Sequence, residues 1–250
     1  MNAALVLARK EGGELLLAPR GLAWLLASCI ALSIFSLLLL SNSELSLLDN
    51  AQVVYDMAAT VTALGALLAA VVGSDAIAGE RERGTLVPLL LTPLSRGGIL
   101  IGKLGGQLLT WAIVYVLALP YLWAVGSTGQ NLALSMVALA LFGSPVVLGF
   151  GCFAMGLSAR LGTARSSLLT GLICLMVSAS PLLLGPSLRQ SAIGKAFDAI
   201  NPFSAAVNAY DAIIIDSQPI GAQATAIAVV LVWLGLTLWF ARHGCRRIFR

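Results

Sequence analysis

Charge is the scarcest commodity in this 250-residue chain, where Asp, Glu, Lys and Arg together make up 10% of the sequence, against about 25% in a water-soluble domain. So little polar cover cannot clothe a globular surface. With 59% apolar residues and a mean hydropathy of +0.95, the chain belongs in a bilayer. Histidine is almost missing. The single one, His243, lies on a basic C-terminal tail, so there is no His/Asp/Glu set for zinc and no Ser-His pair for nucleophilic catalysis. No serine stands in a G-x-S-x-G context, and Lys10, Lys103 and Lys195 fall at or outside the ends of the apolar runs, which leaves no Ser-Lys dyad at membrane depth. Cys29, Cys152, Cys174 and Cys245 never form C-x-x-C and read as reduced packing residues. The composition excludes a nucleic-acid binder, a disulfide-built secreted domain and a disordered chain. We expect a subunit without catalysis, metal or cofactor of its own.

Apolar runs are what the sequence has in abundance. A helix needs about 20 apolar residues to cross the hydrocarbon core while satisfying its own backbone. Six such runs are expected as spans, at 21–41, 56–79, 104–126, 131–158, 166–185 and 222–241. The polar stretch Gly126-Ser-Thr-Gly-Gln-Asn131 divides an uncharged segment too long for one crossing. The fold class is therefore all-α and polytopic, a single membrane domain over 1–250. Residues 1–20 mix leucines with Arg9, Lys10, Glu11 and Glu14 and suit an interfacial helix, with Gly12 and Gly13 as weak points. The first run is too long for the core of a cleaved signal peptide.

Lys and Arg flanking short loops set orientation. With the N-terminus inside, thirteen basic residues fall on the cytoplasmic side, from Arg9 to Arg250, and only Arg189 and Lys195 outside. This predicts a multi-pass inner-membrane protein with both termini in the cytoplasm. The middles of the spans carry no ionisable group, whereas ion-coupled carriers and proton pumps place theirs at membrane depth. Gly97-Gly-Ile-Leu-Ile-Gly102-Lys103 fits part of a phosphate loop, yet Leu104 follows where a hydroxyl is required, and the segment opens a membrane helix. Any ATP hydrolysis belongs to another polypeptide.

The most informative stretch is the predicted cytoplasmic loop at 80–97. It opens with Glu80-Arg-Glu82-Arg, passes Gly84 and Thr85, and continues through Leu86, Leu89 and Leu90, with Pro88 near the start of a short helix and Pro93 closing it before Arg96. On the residues alone, the leucines either seat the loop against its own bundle or form a knob for a cytoplasmic motor, with Glu80 and Glu82 pairing to Arg81, Arg83 or the partner. Glu80, Glu82, Gly84, Thr85, Leu86, Leu90, Pro93 and Arg96 are the candidate coupling residues.

The elements Glu80, Glu82, Gly84-Thr85-Leu86, Leu91-Thr-Pro-Leu-Ser-Arg96 and Gly102-Lys103 resemble the loop between spans two and three of permeases of the ABC type-2 exporter family. Ala8-Arg-Lys-Glu11 and Asn201-Pro-Phe203 also look like family positions. The resemblance implies a core of two permeases, identical or related, each holding a coupling helix against a cytoplasmic ABC ATPase dimer that would carry the ATP and magnesium. It also implies re-entrant outer helices before the last span, and 186–221 is long enough, with Phe197, Ile200, Phe203, Val207, Tyr210 and Ile214 spaced roughly helically. The expected function is ATP-driven export by alternating access. The family includes a permease involved in copper maturation of nitrous oxide reductase, which implies a second reading, mechanical relay to an extracytoplasmic partner without cargo.

Overall fold

The computed structural model describes residues 3–41, 50–91, 95–126, 132–183 and 191–248. Among these residues the chain is helical throughout, with no strand. In chain order the helices are α1 (Ala3–Leu17), α2 (Pro19–Ser41), α3 (Asn50–Asp75), α4 (Ala78–Glu82), α5 (Leu86–Leu90), α6 (Arg96–Gly126), α7 (Leu132–Ala138), α8 (Ser144–Leu161), α9 (Ala164–Leu183), α10 (Ala192–Ile200), α11 (Pro202–Tyr210) and α12 (Ala224–Ile248).

Five stretches are long and apolar enough to cross a membrane: Gly21–Leu39, Ala51–Glu82, Gly97–Gly126, Leu132–Leu161 and Ile220–Arg246. They answer to five of the six expected spans. The remaining one, 166–185, falls on α9, a helix of 20 residues. The polar divider at 127–131 and the start of the outer loop at 184–190 lie outside the described residues.

Burial sorts the helices. α2 is peripheral, with Leu26, Leu37 and Leu38 each about 60% or more exposed, as a lipid-facing helix must be. α3 is central, with Met57, Ala58, Val61 and Ala66 fully buried, and it packs most extensively on α8. The two come close because both present glycine: a Cβ on Gly73 would stand 2.3 Å from the Gly151 carbonyl oxygen. In lipid, helices associate through such close backbone approach. Gln107 of α6 closes the contact by donating to that same carbonyl at 3.0 Å.

Between α7 and α8 the turn widens to a π-helical segment, Leu139–Gly143, just before Pro145. A proline inside a helix removes one amide donor and crowds the carbonyl four residues back. One wide turn relieves both, so Leu132–Leu161 runs on through the proline. The segment before the last apolar crossing forms two helices, and the stripe of apolar residues read from Phe197 to Ile214 is broken between them. Asn201, extended before Pro202, ends α10 and caps α11 by accepting from the Phe203 amide at 3.0 Å. Phe203, Val207, Tyr210 and Ile214 then face the core, while Ile200 is 74% exposed. α11 carries on as a π-helical segment to Ile215 and wedges between α3, α7, α9 and α12. Its Tyr210 hydroxyl lies 2.9 Å from the Thr62 hydroxyl of α3.

Candidate functional site

One end of the bundle gathers Glu11, Asp75, Glu80, Arg83 and Lys103. α1 lies along the start of α6, which is built to receive it. A Cβ on Gly102, Gly105 or Gly106 would meet Leu7, Ala8 or Glu11 at 2.6 to 2.8 Å, and Gly12 faces Leu109. Gly102 of the apparent phosphate loop thus serves, with Gly105 and Gly106 beyond it, as a helix-packing surface, and Gly12 sits inside that contact without breaking α1. Because the backbones approach so closely, Glu11 reaches Lys103. The Lys103 ammonium, 3% exposed, ion-pairs with Glu11 and, at 3.0 Å, with Glu80, itself 4% exposed. Lys10 stands 3.7 Å from the same Glu80 oxygen. A charge this deeply buried persists only when paired, so three helices, α1, α4 and α6, are joined at one ammonium.

The loop is tied to the bundle by three further devices. Ser158 of α8 takes over where α3 ends: its hydroxyl accepts from the amides of Ile77 at 3.2 Å and Ala78 at 2.7 Å and donates to the Ser74 carbonyl at 2.6 Å. These are the groups that a helix break leaves orphaned. α4 then closes in a Schellman motif, with Thr85 N–H bonded to the Glu80 carbonyl at 2.9 Å and Gly84 N–H to the Arg81 carbonyl at 3.1 Å. Gly84 has φ of +72°, which a side chain makes costly, so glycine is required here for conformation. The Thr85 hydroxyl donates to the Glu80 carboxylate. Finally, Glu82 accepts from the first amide of α9, Ala164, at 2.9 Å, a carboxylate on the positive end of a helix, and Arg83 pairs with Asp75 at 2.9 Å.

The expected coupling residues therefore divide. Glu80 is internal and paired with Lys103, and Glu82 caps α9. Gly84 and Thr85 form the turn between α4 and α5. On α5, Leu86, Leu89 and Leu90 are half-buried, whereas Val87 is 64% and Leu91 81% exposed, with Pro88 exposed beside them. Positions 87, 88 and 91 make one helical face and 86, 89 and 90 another. Pro93 and the side chain of Arg96 lie outside the described residues. Sequence reasoning missed Lys103 as the hub and Val87 and Leu91 as the outward face. The spacing Gly102-x-x-Gly105-Gly106, a close-packing signal beside a lysine, pointed to the first. A cleft of about 570 Å³ lies next to this network, between α2, α3, α6 and α9.

Comparison with known proteins agrees with this architecture. The ABC-2 family transporter protein profile matches residues 14–244. The chain is 35% identical over 116 residues to the probable ABC transporter permease protein NosY of Stutzerimonas stutzeri, covering 44% of this chain and 40% of that protein. Against the NosY of Pseudomonas aeruginosa it is 40% identical over 111 residues, covering 44% of this chain and 36% of that protein. The match thus spans well under half the length of either relative. An all-helical membrane body with several apolar crossings, matched across nearly its whole length by one family profile, places the chain in the ABC-2 transporter family as a membrane-embedded permease subunit.

Proposed function

We propose that this permease is the membrane half of an ATP-driven exporter, worked through the α4–α5 loop by an ABC ATPase on the cytoplasmic side. The observation that carries this reading is the Glu11–Lys103–Glu80 network. It fixes the loop to α1 and α6, so a push on α5 moves helices of the bundle instead of swinging a loose segment. Two permease copies, or this chain and a relative, would each present one loop to an ATPase dimer that holds the nucleotide and magnesium. Val87, Pro88 and Leu91 are the contact face. Glu80, Glu82, Gly84 and Thr85 hold that face in place, and Leu86 and Leu90 seat it.

In this reading α9 is the sixth crossing, both termini are cytoplasmic, and α10 and α11 form a re-entrant pair in the outer leaflet of the inner membrane. The gathering of Lys10, Arg81, Arg83, Lys103, Arg160 and Arg165 at one end of the bundle supports that orientation. α11 supports the re-entrant reading, being apolar, buried and, with its π-helical extension, too short to span. A second reading is that the same motion is relayed to an extracytoplasmic partner without cargo. It draws on the interior where α3, the π-helical segment, α8 and α11 meet, with Val61, Phe142, Val146 and Tyr210 fully buried.

The test is co-purification with the cognate ATPase subunit. Val87→Asp with Leu91→Asp should leave the permease folded and release the ATPase, whereas ATP hydrolysis by the permease alone would end this reading. Accumulation of cargo in inside-out vesicles separates export from relay.

A further inference from the structure

The cleft at the charged end takes its walls from the starts of α2 and α9, the first half of α6 and the last turn of α3. In the orientation proposed above, that is the headgroup depth of the inner leaflet. Its two parts differ in chemistry. Trp24 of α2, Val71 and Val72 of α3 and Leu168 of α9 give an apolar wall running toward the membrane interior. On the outer faces of α2 and α9, Leu26 and Leu169 are more than half exposed, so the cleft is flanked by surface suited to acyl chains.

The other part is ionic, with three cations and two carboxylates. Lys103 is held by Glu11 and Glu80, with Lys10 beside Glu80 as a further cation, and Arg83 pairs with Asp75. That leaves Arg165, which is exposed and has no ion pair among the described residues. One cation in excess at the aqueous end of an apolar crevice complements an amphiphile carrying one negative charge. The volume, about 570 Å³, lies in the range of small-molecule sites. It admits a headgroup, the glycerol and the upper part of a chain, while the rest of the lipid stays in the bilayer.

We propose that this cleft is a phospholipid site, in which the phosphate diester sits on the Arg165 guanidinium and an acyl chain runs along Trp24 and Leu168 between α2 and α9. The inference rests on the membrane orientation of the proposed function. It goes beyond that reading by giving the inner leaflet a contact with the transmission loop, since Arg83, just past the end of α4, lines the same cleft. A guanidinium suits this role because its planar fork presents two parallel donors to phosphate oxygens.

Native mass spectrometry of the delipidated permease in detergent, titrated with phosphatidylglycerol, tests the site. The wild-type chain should hold one phospholipid through washing. Arg165→Gln should weaken that adduct at least about tenfold, the loss of one charge-assisted contact. Arg165→Lys should keep most of it, and Arg242→Gln, at an exposed arginine outside the cleft, should keep all of it. Equal melting temperatures show that the variants are folded. An adduct that survives Arg165→Gln overturns the site. So does displacement of the lipid by free glycerol phosphate, which would make it a soluble-anion site, or a lipid-free dimer whose partner copy covers the cleft. The adduct is counted without any ATPase present, so its loss is distinct from a failure of the coupling reading, which Val87→Asp with Leu91→Asp reports separately.

Discussion

Replacing Lys103 by methionine keeps the four-atom apolar stem of the side chain and removes the ammonium with its charge and donors, which separates the ion-pair network from its packing. In the wild-type chain the ammonium is 3% exposed and faces carboxylates that are 14% exposed in Glu11 and 4% in Glu80. Removing one member of a buried pair costs about 3–5 kcal/mol, because the other charge is left unpaired. Here Glu80 retains Lys10 at 3.7 Å, half exposed, and the Thr85 hydroxyl, and Glu11 still reaches water. The lower end, about 3 kcal/mol, therefore applies. The double variant Glu80→Gln with Lys103→Met removes the stranded charge together with its partner and should recover at least about half of the loss, because an uncharged amide is far less costly to bury. Reversible unfolding in mixed micelles measures both. In the assembled complex, Lys103→Met should lower ATPase stimulation even under conditions where the permease stays folded. A cost under about 0.5 kcal/mol, the range of ordinary surface substitutions, would refute the reasoning, and so would a double variant no better than the single.

Other perturbations probe the same loop and its supports. Gly84→Ala should cost about 1–2 kcal/mol through its positive φ alone, since a Cβ there meets nothing within 4 Å; Gly84→Asn, which tolerates that conformation, should cost less in the same unfolding assay. Ser158→Ala strands the Ile77 and Ala78 amides, with an expected loss of about 1–3 kcal/mol and faster hydrogen exchange confined to residues 76–80. Gly106→Val would drive a side chain into Glu11, whose Cβ stands 2.6 Å from the new atom. It should lift α1 off α6, seen as new protease sensitivity in residues 3–17.

Composition and run length made the all-α membrane class and most of the crossings legible, because the bilayer demands long uninterrupted apolar helices and almost nothing else yields them. The loop was legible as a place, through its charges and its glycine, but its outward face was not. Gly84 turns the chain by a left-handed residue before a helix of only five residues, so the register of α5 depends on a turn that the leucine pattern does not report. The role of Lys103 was hidden for another reason: its partners stand 92 and 23 residues away in sequence, and only the glycine-lined approach of α1 to α6 brings the first within reach. The Thr62–Tyr210 bond joins residues 148 apart and left no local trace. Asn201-Pro-Phe203 carried more than its motif suggested, since it caps α11, starts it and anchors it in the core. The same three residues break the stripe that seemed to run from Phe197 to Ile214.

The central claim is that the exposed edge of α5 faces the cytoplasm and is covered by the ATPase. Leu91→Cys, 81% exposed in the parent, reports both at once when treated with a membrane-impermeant maleimide. Labelling in inside-out vesicles but not in right-side-out ones, with protection once the ATPase subunit is bound, is the predicted result. Labelling from the periplasmic side, or labelling that the bound ATPase leaves unchanged, would contradict it.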